Sequence, residues 1–145
     1  MSWRCWHTYG YGVNLSELGG VSFRRVVELV RTAQEYAIEF DKWLSQLDIY
    51  SPTIDDLDDF DCDYRLGLAT VLREVILELE NIELTACDDF YGNRYLLFEA
   101  SYPWRMSDSE KSLKEEDIKS LMVKYLSKIT DETIIIGYYG PENEG

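Results

Sequence analysis

The stretch TIIIGYYG, residues 133–140, indicates how the two ends of this 145-residue chain meet. Its isoleucines and tyrosines favour a β-strand close to the C-terminus. Because successive side chains of a strand point to opposite sides, the residues separate into two faces. Ile134, Ile136 and Tyr138 share one face, and Ile135, Gly137 and Tyr139 share the other.

A second stretch, WRCWHTYGYGV at residues 3–13, combines aromatic residues with glycines and also suits a strand. Bare glycine backbone weakens a strand unless an aromatic ring of a neighbouring strand covers it. The C-terminal strand offers such rings, so we predict that the first and last strands are neighbours. Alternation places Trp3, Cys5, His7, Tyr9 and Tyr11 on one face, with Gly10 and Gly12 on the other.

Apolar residues follow helical spacing from residue 22 to residue 47. Ser22 is predicted to cap the helix, and the capping-box spacing of Thr32 and Glu35 allows a break near residue 32. The stripe predicts a face turned towards the core, while a coiled-coil seam that makes a homodimer is the alternative. Its members are Phe23, Val26, Val30, Ala33, Ala37, Phe40, Leu44 and Leu47.

Three later segments complete the predicted fold. Residues 66–79 are apolar on nearly every side and predict the most buried helix. Residues 82–104 resemble a β-hairpin that turns at 91–93, and the capping box of Ser112 and Glu115 opens a last helix. The order predicts one globular α+β domain over residues 1–145, with 141–145 as a loose tail. Its antiparallel sheet has about four strands, the terminal strands plus the central hairpin, with helices packed on one face.

The charge of the chain is concentrated in its middle. The formal net charge is −14, and residues 32–100 contain 17 acidic but only 4 basic side chains. Within this segment residues 55–63 read DDLDDFDCD and hold six aspartates. Such a surface repels phosphates, so direct nucleic-acid binding is excluded. Apolar residues at 46% nevertheless predict a folded chain.

The aspartate run has two interpretations, a solvated surface or a face that binds a basic partner. A short acidic helix is expected over residues 54–60, and carboxylates three or four residues apart on a helix lie ~6 Å from each other. That spacing suits lysine and arginine sites built for phosphates, and exposed aromatic residues would add affinity. The predicted partner-binding residues are Asp55, Asp56, Asp58, Asp59, Asp61 and Asp63, together with Trp43, Tyr50, Tyr91 and Trp104.

A calcium loop is not predicted, although Asp59, Asp61 and Asp63 occupy the first, third and fifth positions of an EF-hand pattern. The sixth position is Tyr64 instead of glycine, and the twelfth is Thr70 instead of glutamate. The sequence therefore gives no reason to expect a metal or another cofactor.

Catalytic groups are equally sparse. Asp88 and Asp89 are interpreted as caps of the hairpin turn. Cys5 and His7 share a strand face, but no CxxC motif supplies further zinc ligands. We therefore expect a protein that is not an enzyme. The alternative from a different class is a small-ligand protein or enzyme that uses the strand region of His7, Tyr9 and Tyr11. Its pocket would include Tyr138, with Arg24 or Arg25 for an anion.

The cellular location is predicted to be the cytoplasm. The N-terminus MSWRCWHTYG has no basic patch followed by an apolar run, and no stretch is long and apolar enough for a membrane span. The three cysteines are odd in number and far apart, which favours reduced thiols.

The segments WHTYGYGV (6–13), SYPW (101–104) and IGYY (136–139) resemble those of uncharacterised small acidic proteins from phages and mobile elements of Firmicutes. Small acidic proteins from such sources include anti-CRISPR proteins, some of which mimic DNA. The resemblance implies a non-catalytic inhibitor that acts in the cytoplasm of a bacterial host and binds the basic nucleic-acid groove of a bacterial defence nuclease. An immunity protein that neutralises a nuclease toxin would have the same composition.

Overall fold

The computed structural model describes residues 5–7, 10–46, 67–89, 91–98, 114–140 and 142–144. Its strands are β1 (Cys5–His7), β2 (Gly10–Asn14), β3 (Thr85–Asp88), β4 (Arg94–Phe98), β5 (Ile136–Tyr139) and β6 (Glu142–Glu144). The α-helices of the described residues are α1 (Phe23–Thr32), α2 (Gln34–Gln46), α3 (Leu68–Glu80) and α4 (Glu115–Leu126). The antiparallel order β3-β4-β2-β5, with helices packed on the sheet, confirms the predicted α+β fold.

The first and last strands are neighbours, as predicted. In the pairing of β2 with β5, Gly10 lies opposite Tyr139. In the pairing of β1 with β6, His7 lies opposite Glu142. Gly10 comes three positions after His7 in the sequence, and Glu142 comes three positions after Tyr139. The β1–β6 pair therefore has the same register as the β2–β5 pair. Within the predicted loose tail, residues 141–145, the backbone of Glu142–Glu144 forms β6 and pairs with β1 as a separate two-stranded sheet.

The predicted aromatic cover over the glycines is also present. Tyr95 of β4 and Tyr139 of β5 come from the two strands that flank β2, and their ring centroids are 5.4 Å apart. The rings meet across β2, where Gly12 has no side chain to separate them. A Cβ atom at Gly12 would overlap the Leu96 carbonyl oxygen of β4. Close strand approach and ring cover thus both require glycine at this position.

The helical stretch predicted from residue 22 to residue 47 is divided at Ala33, which confirms the break predicted near residue 32. Ser22 caps α1, since its hydroxyl accepts a hydrogen bond from the Arg25 amide at 3.4 Å. The capping box predicted for Thr32 and Glu35 is wrong. The Thr32 hydroxyl instead donates to the Leu29 carbonyl oxygen at 2.6 Å, and a side chain of α3 takes over the capping of α2.

The apolar stripe of α1 and α2 faces the inside of the molecule. Val26, Val30, Ala33, Ala37 and Phe40 are all buried, together with residues of α3, α4 and the sheet. The stripe is therefore not available as a coiled-coil seam, and the homodimer predicted from it has no support. The helix α3 is heavily buried as predicted, through Ala69, Thr70, Val71, Leu72, Val75 and Ile76.

The last helix begins later than its predicted capping box requires. The residue before α4 is Lys114, whose amide donates to the Asp117 carboxylate at 2.9 Å. Glu115 is thus the first helical residue and not the third, while Ser112 of the predicted capping box lies outside the described residues. No α-helix of the described residues has the length and apolar character that crossing a membrane requires.

Candidate functional site

A cleft of about 330 Å³ lies between α2 and α3. Four glutamates line it, with one aromatic and one aliphatic side chain between them. We call this site the α2–α3 cleft. Its lining residues are Glu35, Tyr36, Glu39, Glu74, Leu77 and Glu78.

Helical spacing arranges the glutamates in two facing pairs. Glu35 and Glu39 are four residues apart on α2, and Glu74 and Glu78 have the same spacing on α3. Residues four apart lie on one side of a helix with ~6 Å between their Cβ atoms. Because α2 packs against α3, each helix contributes one row of carboxylates to the cleft.

One of the four glutamates also holds the cleft together. The carboxylate of Glu78 accepts hydrogen bonds from the backbone amides of Glu35 at 3.1 Å and Tyr36 at 2.9 Å. The first amides of a helix have no partner within the helix, and a negative charge is favoured beside them. Glu78 thus supplies the cap that α2 lacks in its own sequence, and it does so from α3.

In the described part of the chain, few cations balance the charge of the cleft. Glu74 pairs with Arg73 at 2.9 Å, whereas Glu35 and Glu39 are exposed and form no ion pair with any Lys or Arg of the described residues. Like charges four residues apart on a helix destabilise it by ~0.2–0.5 kcal/mol per pair. Chemically, such a site is suited to bind the cationic side chains of another molecule. The described residues contain no group of three His, Cys, Asp or Glu that could hold a metal ion.

The carboxylate of Asp89, at the β3–β4 turn, has different surroundings. Its Oδ1 accepts from the amides of Tyr91 and Asn93, both at 2.9 Å. Its Oδ2 accepts from the Asn93 side chain at 3.0 Å and from the Tyr95 hydroxyl at 2.8 Å. Burial alone would raise the pKa of Asp89, but these hydrogen bonds outweigh it and lower that pKa. This confirms Asp89 as a turn cap.

The turn that Asp89 fixes presents an aromatic side chain to solvent. Tyr91 is 90% exposed, and Gly92 beside it has a φ of 81°, which favours glycine. Burial first, and then the contact with Asp89, raises the pKa of Tyr95 to about 12. The Tyr95 phenol therefore stays protonated and keeps donating at neutral pH. Tyr91 is thus presented to solvent on a turn that Asp89 caps, as an anchor residue would be.

The remaining predicted partner-binding residues have different positions. Trp43 of α2 is half-buried and packs against Phe23 and Phe40, with ring centroids 6.4 and 5.3 Å away. Its main contacts are thus with the protein's own core. The other predicted residues lie outside the described part of the chain: Asp55, Asp56, Asp58, Asp59, Asp61, Asp63, Tyr50 and Trp104.

The alternative small-ligand region is filled where the structure describes it. Tyr11 and Tyr138 are brought together by β2 and β5, but their rings pack 5.0 Å apart, and the Tyr138 hydroxyl donates to Glu115. Arg25 donates to the carbonyl oxygens of Ser127 and Lys128 at 2.8 and 2.7 Å. These hydrogen bonds hold the Arg25 guanidinium at the end of α4. Arg24 lies 3.8 Å from Glu28, while Tyr9 and the side chain of His7 are outside the described residues.

Sequence reasoning missed the α2–α3 cleft. The i, i+4 spacing of Glu35 with Glu39, and of Glu74 with Glu78, was the available signal, because it places each pair on one helix side. Nothing in the spacing shows that the two sides face each other. Comparison with protein-family models, with curated proteins and with solved structures finds no match to this chain.

Proposed function

We propose that this protein is a non-catalytic acidic inhibitor that mimics nucleic acid, in the manner of some anti-CRISPR proteins. Its target is the basic nucleic-acid-binding groove of a bacterial defence nuclease. The α2–α3 cleft is the observation that carries this proposal, because two facing rows of glutamates line it and, among the described residues, only Arg73 forms an ion pair with one of them.

The physical basis is competition for cationic side chains. A nucleic-acid groove presents lysines and arginines to phosphates. Rows of carboxylates can occupy the same side chains, and complementary charge speeds the encounter of the two proteins. The cleft lies in the segment that also contains the aspartate run 55–63, where the excess of acidic residues is greatest.

Aromatic contacts would complement the charges. Charged groups at an interface rim contribute little affinity each, whereas a tyrosine that enters a pocket can dominate binding. The 90% exposure of Tyr91 on a turn fixed by Asp89 supports this role. In the proposed complex Tyr91 anchors the inhibitor and the carboxylates set its orientation.

The direct test is inhibition of purified nucleases. Guide-loaded RNA-guided nucleases and nuclease toxins are each incubated with the protein, and plasmid cleavage is measured at increasing salt. We expect inhibition of at least one RNA-guided nuclease, competition by substrate DNA, and weaker inhibition at high salt because ions screen the charges. Inhibition of toxins alone would favour the immunity-protein alternative, and no inhibition across the panel would overturn the proposal.

Charge-removing variants locate the interface. An exposed ion pair contributes ~0.2–1 kcal/mol, so Glu35→Gln with Glu39→Gln should weaken inhibition roughly 2- to 30-fold. Replacing Asp55, Asp56, Asp58 and Asp59 with asparagine should weaken it further. The matched control, Glu83→Gln with Glu116→Gln, removes two charges from exposed positions outside the cleft. Equal losses in the control and the cleft variant would show that only net charge matters.

A further inference from the structure

We infer that the outer edge of β5 pairs with β5 of a second copy of this chain, so that two sheets join into one. The inference concerns a surface separate from the α2–α3 cleft and is independent of the proposed function. The strand β5 is the last of the four-stranded sheet and pairs with β2 on one side only among the described residues.

The first argument is exposure of apolar side chains at this edge. Ile135, directly before β5, is 64% exposed, and Tyr138 within β5 is 52% exposed. They alternate to opposite faces of the strand, so apolar surface is open above and below the edge. Among the described residues no strand pairs with this edge, and the outer side of an edge strand is a template for another strand.

The second argument is the lack of protection along the edge. Exposed edge strands commonly carry a lysine, a proline, a bulge or an inward charge that prevents pairing with other chains. The stretch TIIIGYYG, residues 133–140, contains no charged residue and no proline. Its isoleucines and tyrosines are also among the best strand formers. An edge of this composition is suited to pairing.

The third argument concerns which molecule pairs with the edge of β5, and it favours a second copy of this chain. Two chains with a net charge of −14 each repel one another across most of their surfaces. The uncharged strip at 133–140 is a region where they can approach without carboxylates meeting. A basic partner attracted by the acidic surface finds no opposite charge there. A two-fold axis through paired β5 strands brings the same uncharged strip together from both copies.

Ionic strength gives this dimer a distinctive behaviour. Salt screens the repulsion between two acidic chains, so the dimer should become tighter as salt is raised. Binding to a basic nuclease, by contrast, should weaken under the same change. Dimer formation and nuclease binding can therefore be detected independently of each other in the same salt titration.

The test is the oligomeric state of the purified full chain, measured by light scattering over a range of protein and salt concentrations. We expect a monomer–dimer equilibrium that shifts towards the dimer at high salt. Ile135→Lys should abolish the dimer because it places a desolvated charge at the edge. The matched control is Ile38→Lys, since Ile38 is 59% exposed and belongs to the helix α2, not to the sheet; this variant should dimerise like the parent chain.

Hydrogen exchange distinguishes strand pairing from other contacts. Amides of residues 136–139 that face outward should become protected as protein concentration rises, and this protection should be absent in Ile135→Lys. Circular dichroism of both variants checks that they fold. A chain that is monomeric in every condition would overturn the inference. So would a dimer that survives Ile135→Lys, a dimer lost equally in Ile38→Lys, or a dimer without new protection at β5.

Discussion

The Asp89 carboxylate at the hairpin turn and the glutamates of the α2–α3 cleft carry the same charge in different surroundings. Four donors of the chain itself surround Asp89, whereas Glu35 and Glu39 face solvent without an ion pair among the described residues. The first arrangement stabilises the fold and the second opposes it slightly. Acidic residues that stabilise the fold can thus be told apart from those free to bind another molecule.

The strongest test of this contrast is truncation of Asp89. Asp89→Ala leaves two backbone amides and two side-chain donors of the turn without their acceptor, which should lower the free energy of unfolding by about 2–3 kcal/mol. Urea denaturation measures the change. Tyr95→Phe removes one of the four donors and should cost less. If Asp89→Ala were as stable as the parent chain, the turn would not depend on this carboxylate.

Acidic pH should reversibly cause part of the stability loss expected for Asp89→Ala. Hydrogen bonds from Lys124 and Tyr125 lower the pKa of Glu80, and the pKa of Asp89 is lowered too. An acid with a lowered pKa in the folded state binds fewer protons there than in the unfolded chain. Its stabilisation is present above the ordinary pKa of ~4 and is lost as the pH falls through the lowered value.

Unfolding midpoints measured from neutral pH downwards should therefore decrease below about pH 4. The decrease should be shallower in Asp89→Asn, which cannot lose that proton-linked stabilisation. An equally steep decrease in the variant would mean that Asp89 titrates normally.

Glu78 both lines the cleft and caps α2. Its truncation should lower the stability less than truncation of Asp89 does. Glu78→Ala removes the acceptor of two amides at the start of α2, and loss of a helix cap costs about 1 kcal/mol. The matched control is Glu39→Ala, which removes a cleft glutamate that caps no helix. Thermal unfolding should show destabilisation in Glu78→Ala only. Equal stability of the two variants would show that Glu78 does not stabilise α2 as a cap.

The smallest expected effect is an increase in the free energy of unfolding, whereas the changes above lower it. Glu35→Gln with Glu39→Gln relieves one like-charge pair and should raise the free energy of unfolding by ~0.2–0.5 kcal/mol, even though it weakens inhibition. Added salt should shrink this gain because it screens the repulsion in the parent chain. A loss of stability in this variant would show that these glutamates hold the fold together, contrary to the comparison with Asp89.

Several elements were predictable because their signals are local. The period of two in TIIIGYYG and the steps of three and four after Ser22 identified strand and helix, since a few neighbouring residues fix these periods. The glycines of the first strand also indicated aromatic cover, which Tyr95 and Tyr139 provide. The capping box of Thr32 and Glu35 was wrong because the Glu35 amide donates to Glu78 of α3, a long-range contact that the local pattern does not show. The pairing of Glu142–Glu144 with β1 is likewise a long-range contact.

By itself the sequence determined the fold class, the joining of the chain ends and the concentration of negative charge in the middle segment. These depend on composition and on patterns within short stretches. Only the tertiary structure decided that Glu78 caps a helix beginning more than forty residues earlier, and that two rows of glutamates face each other. The physical reason is that each helix fixes the direction of its own side chains, whereas packing between helices decides which faces meet.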